Sequence, residues 1–138
     1  MADGAAHDRA ARILVAEDDD EMRRVLVDTL RAEGYEVYEV SDGGALLVEL
    51  ARNHRFHYNA VDLVVSDVRM PLCSGLQALE TLRGTSARTR FLLLTAFGDE
   101  DMHARATALG AMLLDKPFST RKLRSTVADL LASGPQTR

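Results

Sequence analysis

The chain has 138 residues, of which 46% are hydrophobic, 17 are basic and 21 acidic, for a formal net charge of −4. That length suits one domain whose core takes roughly two thirds of the unfolded chain's surface out of water, and the acidic balance argues against direct nucleic-acid binding. The single cysteine, Cys73, excludes an internal disulfide and fits a reducing compartment; no apolar run approaches the roughly 18 residues of a membrane span, and the N-terminal MADGAAHD lacks the order of a signal peptide, so a cytoplasmic location without a membrane partner is expected.

Apolar runs of strand length alternate with helical periodicity along the chain. Residues 1–11 are small or polar and read as a tail. Ile13, Leu14, Val15 and Ala16 form a short continuous run, the pattern of a strand buried on both faces. Met22, Val25, Leu26 and Leu30 then share one helix face, and Gly34 supplies the stop. Residues 35–40 read as a second strand. Asp42 can cap a helix carrying Leu46, Leu47 and Leu50. Leu63, Val64 and Val65 make a third strand, and Ser74 caps a helix with Leu76, Leu79 and Leu82. Residues 91–94 predict a fourth strand, Met102, Ala106 and Leu109 a fourth helix, and residues 111–114 a fifth strand. Leu123, Val127, Leu130 and Leu131 predict a last helix. The folded unit therefore spans residues 12–132, and residues 133–138 are a tail or the start of a linker.

Five strand-helix units imply an α/β fold with a doubly wound, five-stranded parallel sheet, because parallel strands need crossovers and crossovers are right-handed. In such sheets ligands bind beyond the carboxyl ends of the strands, where the strand order reverses. The residues that follow the apolar runs are Glu17 and Asp18 after the first strand, Asp67 after the third, Thr95 after the fourth and Lys116 after the fifth.

Taken singly, each has a plain structural explanation. The acid run of VAEDDDE, residues 15–21, matches a helix N-terminus, where the dipole favours carboxylates. Asp67 suits a strand end, Thr95 a helix entry and Lys116 a surface charge. Lys116 stands out, because only Lys122 joins it as a lysine among 17 basic residues, and a compact ammonium suits a small anion such as phosphate. Together, three carboxylates, a hydroxyl and an ammonium point to phosphoryl transfer onto a carboxylate. Carboxylates at strand ends hold Mg²⁺ through a few oxygens. The metal and the lysine offset the charge of the transferring group, and Asp67 is the nucleophile. The side-by-side acids Glu17 and Asp18 are then tolerated because they help hold a cation.

Four segments carry a resemblance: ILVAEDD from Ile13, DLVVSDVRMP from Asp62 with Gly75 beyond it, LLLTA from Leu92, and Lys116-Pro117-Phe118. In this order and spacing the chain resembles a response regulator receiver domain of bacterial two-component signalling. The resemblance implies a flavodoxin-like (βα)5 fold with strand order 2-1-3-4-5. It implies that Glu17, Asp18 and Asp67 bind Mg²⁺ together with the backbone carbonyl of Arg69, and that Asp67 is also the phosphoacceptor. Thr95 would move toward the phosphoryl group and Lys116 would pair with it. Asp19, Asp20 and Glu21 would begin the first helix. A cis peptide is implied at Lys116-Pro117.

The resemblance further implies a phosphorelay switch that catalyses only its own phosphorylation and dephosphorylation and is not otherwise an enzyme. Its partners would be a histidine kinase or phosphotransfer protein upstream and an unknown protein downstream, with dimerisation through the fourth and fifth helices open to it. Gly134 and Pro135 would serve equally as a tail or as the linker of a longer regulator.

Three departures from the family pattern bear on function. Glu17 replaces the commoner Asp, with a side chain still long enough to reach the metal. Leu113 stands where most receivers carry an aromatic that turns inward as the threonine moves, so a switch without that coupling is expected. Residues 52–60, RNHRFHYNA, make a longer join into the third strand than is usual and read as a surface extension. The resemblance also places Arg69 and Phe97, two residues beyond Asp67 and Thr95, near the path of the attacking water, and implies that the large ring of Phe97 slows self-dephosphorylation.

Competing functions fit less well. A haloacid-dehalogenase-like phosphatase wants a second Asp two residues past Asp67, where this chain has Arg69. A dinucleotide-binding domain wants glycines after the first strand, where this chain has acids. A pseudo-receiver, a binding module that works without phosphorylation, is the alternative that Leu113 keeps open.

Overall fold

The computed structural model describes residues 10–56, 61–69, 74–83, 89–96 and 100–133. Strand and helix alternate in chain order: β1 (Arg12–Ala16), α1 (Asp20–Ala32), β2 (Glu36–Val40), α2 (Gly43–Phe56), β3 (Leu63–Asp67), α3 (Gly75–Arg83), β4 (Arg90–Thr95), α4 (Glu100–Ala108), β5 (Met112–Asp115) and α5 (Thr120–Ala132). All the strand pairs are parallel, and the sheet order is β2-β1-β3-β4-β5. This is the flavodoxin-like order, and it reverses between β1 and β3.

Strand alternation explains why both faces of the sheet are covered. Leu14, Val64, Phe91 and Leu93 point to one side, where they pack with Leu46 and Leu50 of α2, Leu76 and Leu79 of α3 and Ala106 of α4. Ile13, Val15, Leu63, Val65, Leu92 and Leu94 point to the other, against Leu26 and Leu30 of α1 and Leu123 and Val127 of α5. Burying one such leucine is worth about 1.5–3 kcal/mol, so the central strands β1, β3 and β4, buried on both faces, carry much of the stability of the core. The expected continuous apolar runs are those strands.

Helix starts carry side-chain caps, at Asp42 and Ser74 as expected and at Asp19 and Ser119 besides. Asp19 accepts from Met22 N at 2.8 Å, Asp42 from Ala45 N at 2.8 Å, and Ser119 from Lys122 N at 3.0 Å. Ser74 and Gln77 bond reciprocally at 3.0 and 2.8 Å, the capping-box arrangement. Gly34, with φ of 94°, turns the chain out of α1, and Tyr35 N still bonds back to Leu30 O, which is why β2 begins at Glu36 rather than Tyr35.

Two differences from the sequence reading matter. Helix α2 continues to Phe56, so the first part of segment 52–60 is helical rather than a join, with an Arg52–Glu49 pair at 3.2 Å along its surface. His57 and Tyr58 lie outside the described residues, as do Cys73 and Phe97. Strands β3 and β4 also run further than their apolar cores. Their last residues are Asp67 and Thr95, which pair in register with Leu94 and Asp115. The peptide at Lys116-Pro117 is cis, as expected. No helix among the described residues is long and apolar enough to cross a membrane.

Candidate functional site

The carboxyl edge of the sheet gathers the predicted residues. β1 and β3 align so that Ala16 faces Ser66, which sets Glu17 beside Asp67. On the other side of β3, β4 and β5 end on Thr95 and Asp115, and Lys116 follows at once, its amide donating to Thr95 O at 2.8 Å.

Glu17 departs from the rest of the acid run. Asp18, Asp19, Asp20 and Glu21 are exposed, and Asp19 to Glu21 cap and open α1 as acids at a helix N-terminus do. Glu17 is 1% exposed. Its Oε2 accepts from the Asp19 amide at 3.1 Å, whereas its Oε1 is buried without a hydrogen-bond partner and lies 3.7 Å from Lys116 Nζ. Burial pushes the Glu17 carboxyl above the usual carboxylate range. The Asp19 amide opposes that shift, the charge of Asp67 adds to it, Lys116 opposes it and Asp18 adds to it.

Asp67 completes the cluster. Ligand oxygens of Glu17, Asp18 and Asp67 all lie within 4.8 Å of one another, the only such acidic group among the described residues. Lys116 Nζ sits 3.3 Å from Asp67 Oδ1, so one ammonium leans on two of the three acids. The Asp67 backbone is held tightly: Ser66 Oγ donates to Asp67 O at 2.9 Å, and Val68 N to Leu94 O at 2.9 Å. Gly75, which starts α3, is required by this approach, because a Cβ there would stand 2.6 Å from Asp67 O.

Thr95 is 2% exposed, and its hydroxyl donates to Ala96 O at 3.0 Å. Arg69 is exposed, two residues past Asp67. Leu113 is half-buried against the cluster formed by Leu46, Leu93 and their neighbours. Asp115, next to Lys116, pairs with His103 of α4 at 3.2 Å.

The acids fit a divalent cation on the strength of their own chemistry. Three hard oxygen donors converge, and Glu17 also carries a buried oxygen with no hydrogen-bond partner, which a cation would satisfy.

One residue near the site was missed in the sequence. Arg23 donates to Glu17 O at 2.8 Å. The available signal was its place in the first turns of an acid-led helix, where the dipole disfavours a cation.

The family model for the response regulator receiver domain matches residues 13–128. The chain belongs to this family. Among curated relatives, the response regulator protein FleR of Pseudomonas aeruginosa is 40% identical over 120 residues, which cover 86% of this chain and 24% of FleR. The chain thus spans about a quarter of that relative's length. The chemotaxis protein CheY of Bacillus subtilis is 31% identical over 119 residues, covering 86% of this chain and 95% of CheY. Among solved structures, the chemotaxis response regulator CheY4 of Vibrio cholerae superposes with a TM-score of 0.76 at 30% identity, over 88% of this chain and 99% of that one. A receiver of this kind is a signalling switch.

Proposed function

We propose that this receiver, over residues 12–132, takes a phosphoryl group onto Asp67 from a histidine kinase or phosphotransfer protein, with Mg²⁺, and signals by binding another protein. The observation that carries the reading is the convergence of Glu17, Asp67 and Lys116 within ion-pair distances at the strand-order reversal. Bound Mg²⁺ would offset charge on the transferring group. Glu17, Asp18, Asp67 and the Arg69 carbonyl would hold it. The chain's own groups do the rest. One Asp67 carboxylate oxygen forms the O–P bond as the N–P bond of the donor phosphohistidine breaks, and the electron pair leaves with the imidazole nitrogen, which takes up a proton. Lys116 pairs with the phosphoryl oxygens, and the Thr95 hydroxyl turns from Ala96 O to donate to one of them. In this reading the protein acts in the cytoplasm and has no other enzymatic activity.

Incubation with a small acyl phosphate and Mg²⁺, followed by intact mass measurement, tests this. The parent should gain one phosphate and Asp67→Asn none. No gain in the folded parent would favour the pseudo-receiver, the reading for which Leu113 is the observation.

A further inference from the structure

Arg23 lies on α1, and its guanidinium spans three elements. Nη1 donates to the backbone carbonyl of Glu17 at 2.8 Å, Nε to Glu39 Oε1 on β2 at 3.1 Å, and Nη2 to Asp20 Oδ1 at 2.6 Å. Its side chain is only 18% exposed. The hydrogen bond to Asp20 chiefly, with help from Glu39, holds its pKa above even the ordinary arginine value. The other side of the Glu17 residue is held too, its amide donating to Val40 O at 3.2 Å. Residue 17 is therefore tied to β2 twice, directly by its amide and through Arg23 and Glu39 by its carbonyl.

We propose that Arg23 is a positioning residue that locks the turn between β1 and α1, so that Glu17 and Asp18 face Asp67 in a cation-ready arrangement. This rests on the Mg²⁺ reading above. The planar fork of arginine suits the task, because three acceptors in different directions need several donors in fixed geometry, which a lysine ammonium on a flexible stem does not supply. Asp20 and Glu39 also compensate its charge, so the cation that locks the turn adds little repulsion to the site it builds.

That charge makes the inference testable by sign. By Coulomb attraction alone, deleting a positive charge near a Mg²⁺ site tightens Mg²⁺ binding. If Arg23 works by position, its loss weakens binding instead. Calorimetric titration of the intact chain with Mg²⁺ should show Arg23→Met weaker than the parent by about tenfold or more, the scale set by outer residues that orient metal ligands. Arg23→Lys should recover less than half of that loss on a logarithmic scale. Arg24→Met, which deletes the same charge from an exposed neighbour, should bind as the parent or more tightly.

Glu39→Gln, a milder change at a half-exposed anchor, removes a negative charge, so it is read at high salt, which screens the Coulomb effect of that loss; there it should still weaken binding roughly threefold in a fully folded protein, and it decides the matter if Arg23→Met does not fold. Thermal unfolding without Mg²⁺ separates the roles: a purely structural Arg23 lowers the midpoint but leaves Mg²⁺ affinity untouched. Parent-like affinity in Arg23→Met, or in Glu39→Gln where the former is unfolded, overturns the inference while leaving the Mg²⁺ site standing. A parent that does not bind Mg²⁺ overturns both.

Discussion

Lys116 Nζ lies 3.3 Å from Asp67 Oδ1. The ammonium thus leans on Asp67, where under the proposed function it would supply the counter-charge for an incoming phosphoryl group, and it also sits 3.7 Å from Glu17 Oε1.

Replacing it separates two functions. In Lys116→Met, acceptance of phosphate from an acyl phosphate should slow by about 100-fold, as expected when one preorganised positive group is lost. Mg²⁺ should bind roughly threefold more tightly, because a repelling charge has gone. Initial rates by intact mass and calorimetric titration measure the two, and a parallel fall in both would contradict this division of roles.

Glu17 opposes folding at neutral pH when no metal is bound. Its carboxyl is pushed above the ordinary value of 4.5, first by burial and then by Asp67. The folded state therefore holds this proton more firmly than the unfolded state does. The associated stability is fully present below about pH 4.5 and is lost as pH rises through the raised folded value. Glu17→Gln should consequently be more stable than the parent at pH 7 in the presence of a chelator, and its advantage should shrink on acidification. Its Mg²⁺ affinity should fall by at least about tenfold. Urea denaturation across pH checks the first point and titration the second.

Gly75→Ala should be costly. Its Cβ would meet the Asp67 carbonyl at 2.6 Å and Ser66 Oγ at 2.8 Å, and the nearer obstacle is backbone. A loss of about 1–3 kcal/mol is expected from overpacking at this position, with Asp67 displaced and phosphate acceptance reduced. Thermal or urea unfolding reads the first effect. A variant as stable as the parent would show that α3 can shift away freely.

Leu113 should stay where it is on activation. It packs half-buried against the cluster on the α2, α3 and α4 face, and it has no polar tip that rewards a change between water and interior. Methyl NMR with and without a beryllofluoride phosphate mimic should show Thr95 and its loop responding, while Leu113 keeps its rotamer. A Leu113 that swings from outside to inside would show that an aliphatic side chain carries the coupling and would overturn this expectation.

Much of this molecule is legible in one dimension because the forces involved are local. The order of ten elements follows from apolar periodicity, and the starts of α2 and α3 follow from Asp42 and Ser74, whose side chains reach amides three residues on, as those of Asp19 and Ser119 do at α1 and α5. The strand-end rule then marks Glu17, Asp18, Asp67, Thr95 and Lys116 from chain order alone.

What the chain order does not contain is burial and long-range geometry. Five consecutive acids look alike in sequence, yet packing hides Glu17 and leaves the next four in water. Desolvation depends on everything that surrounds a group, so it is fixed only when the sheet and α1 close over the site. The triangle of Glu17, Asp67 and Lys116 depends on the registers of β1 against β3, β3 against β4 and β4 against β5, which together join residues 49 or more apart in sequence. Arg23 was missed for the same reason: its three acceptors come from the end of β1, from α1 and from β2, and only the folded chain brings them within reach of one guanidinium.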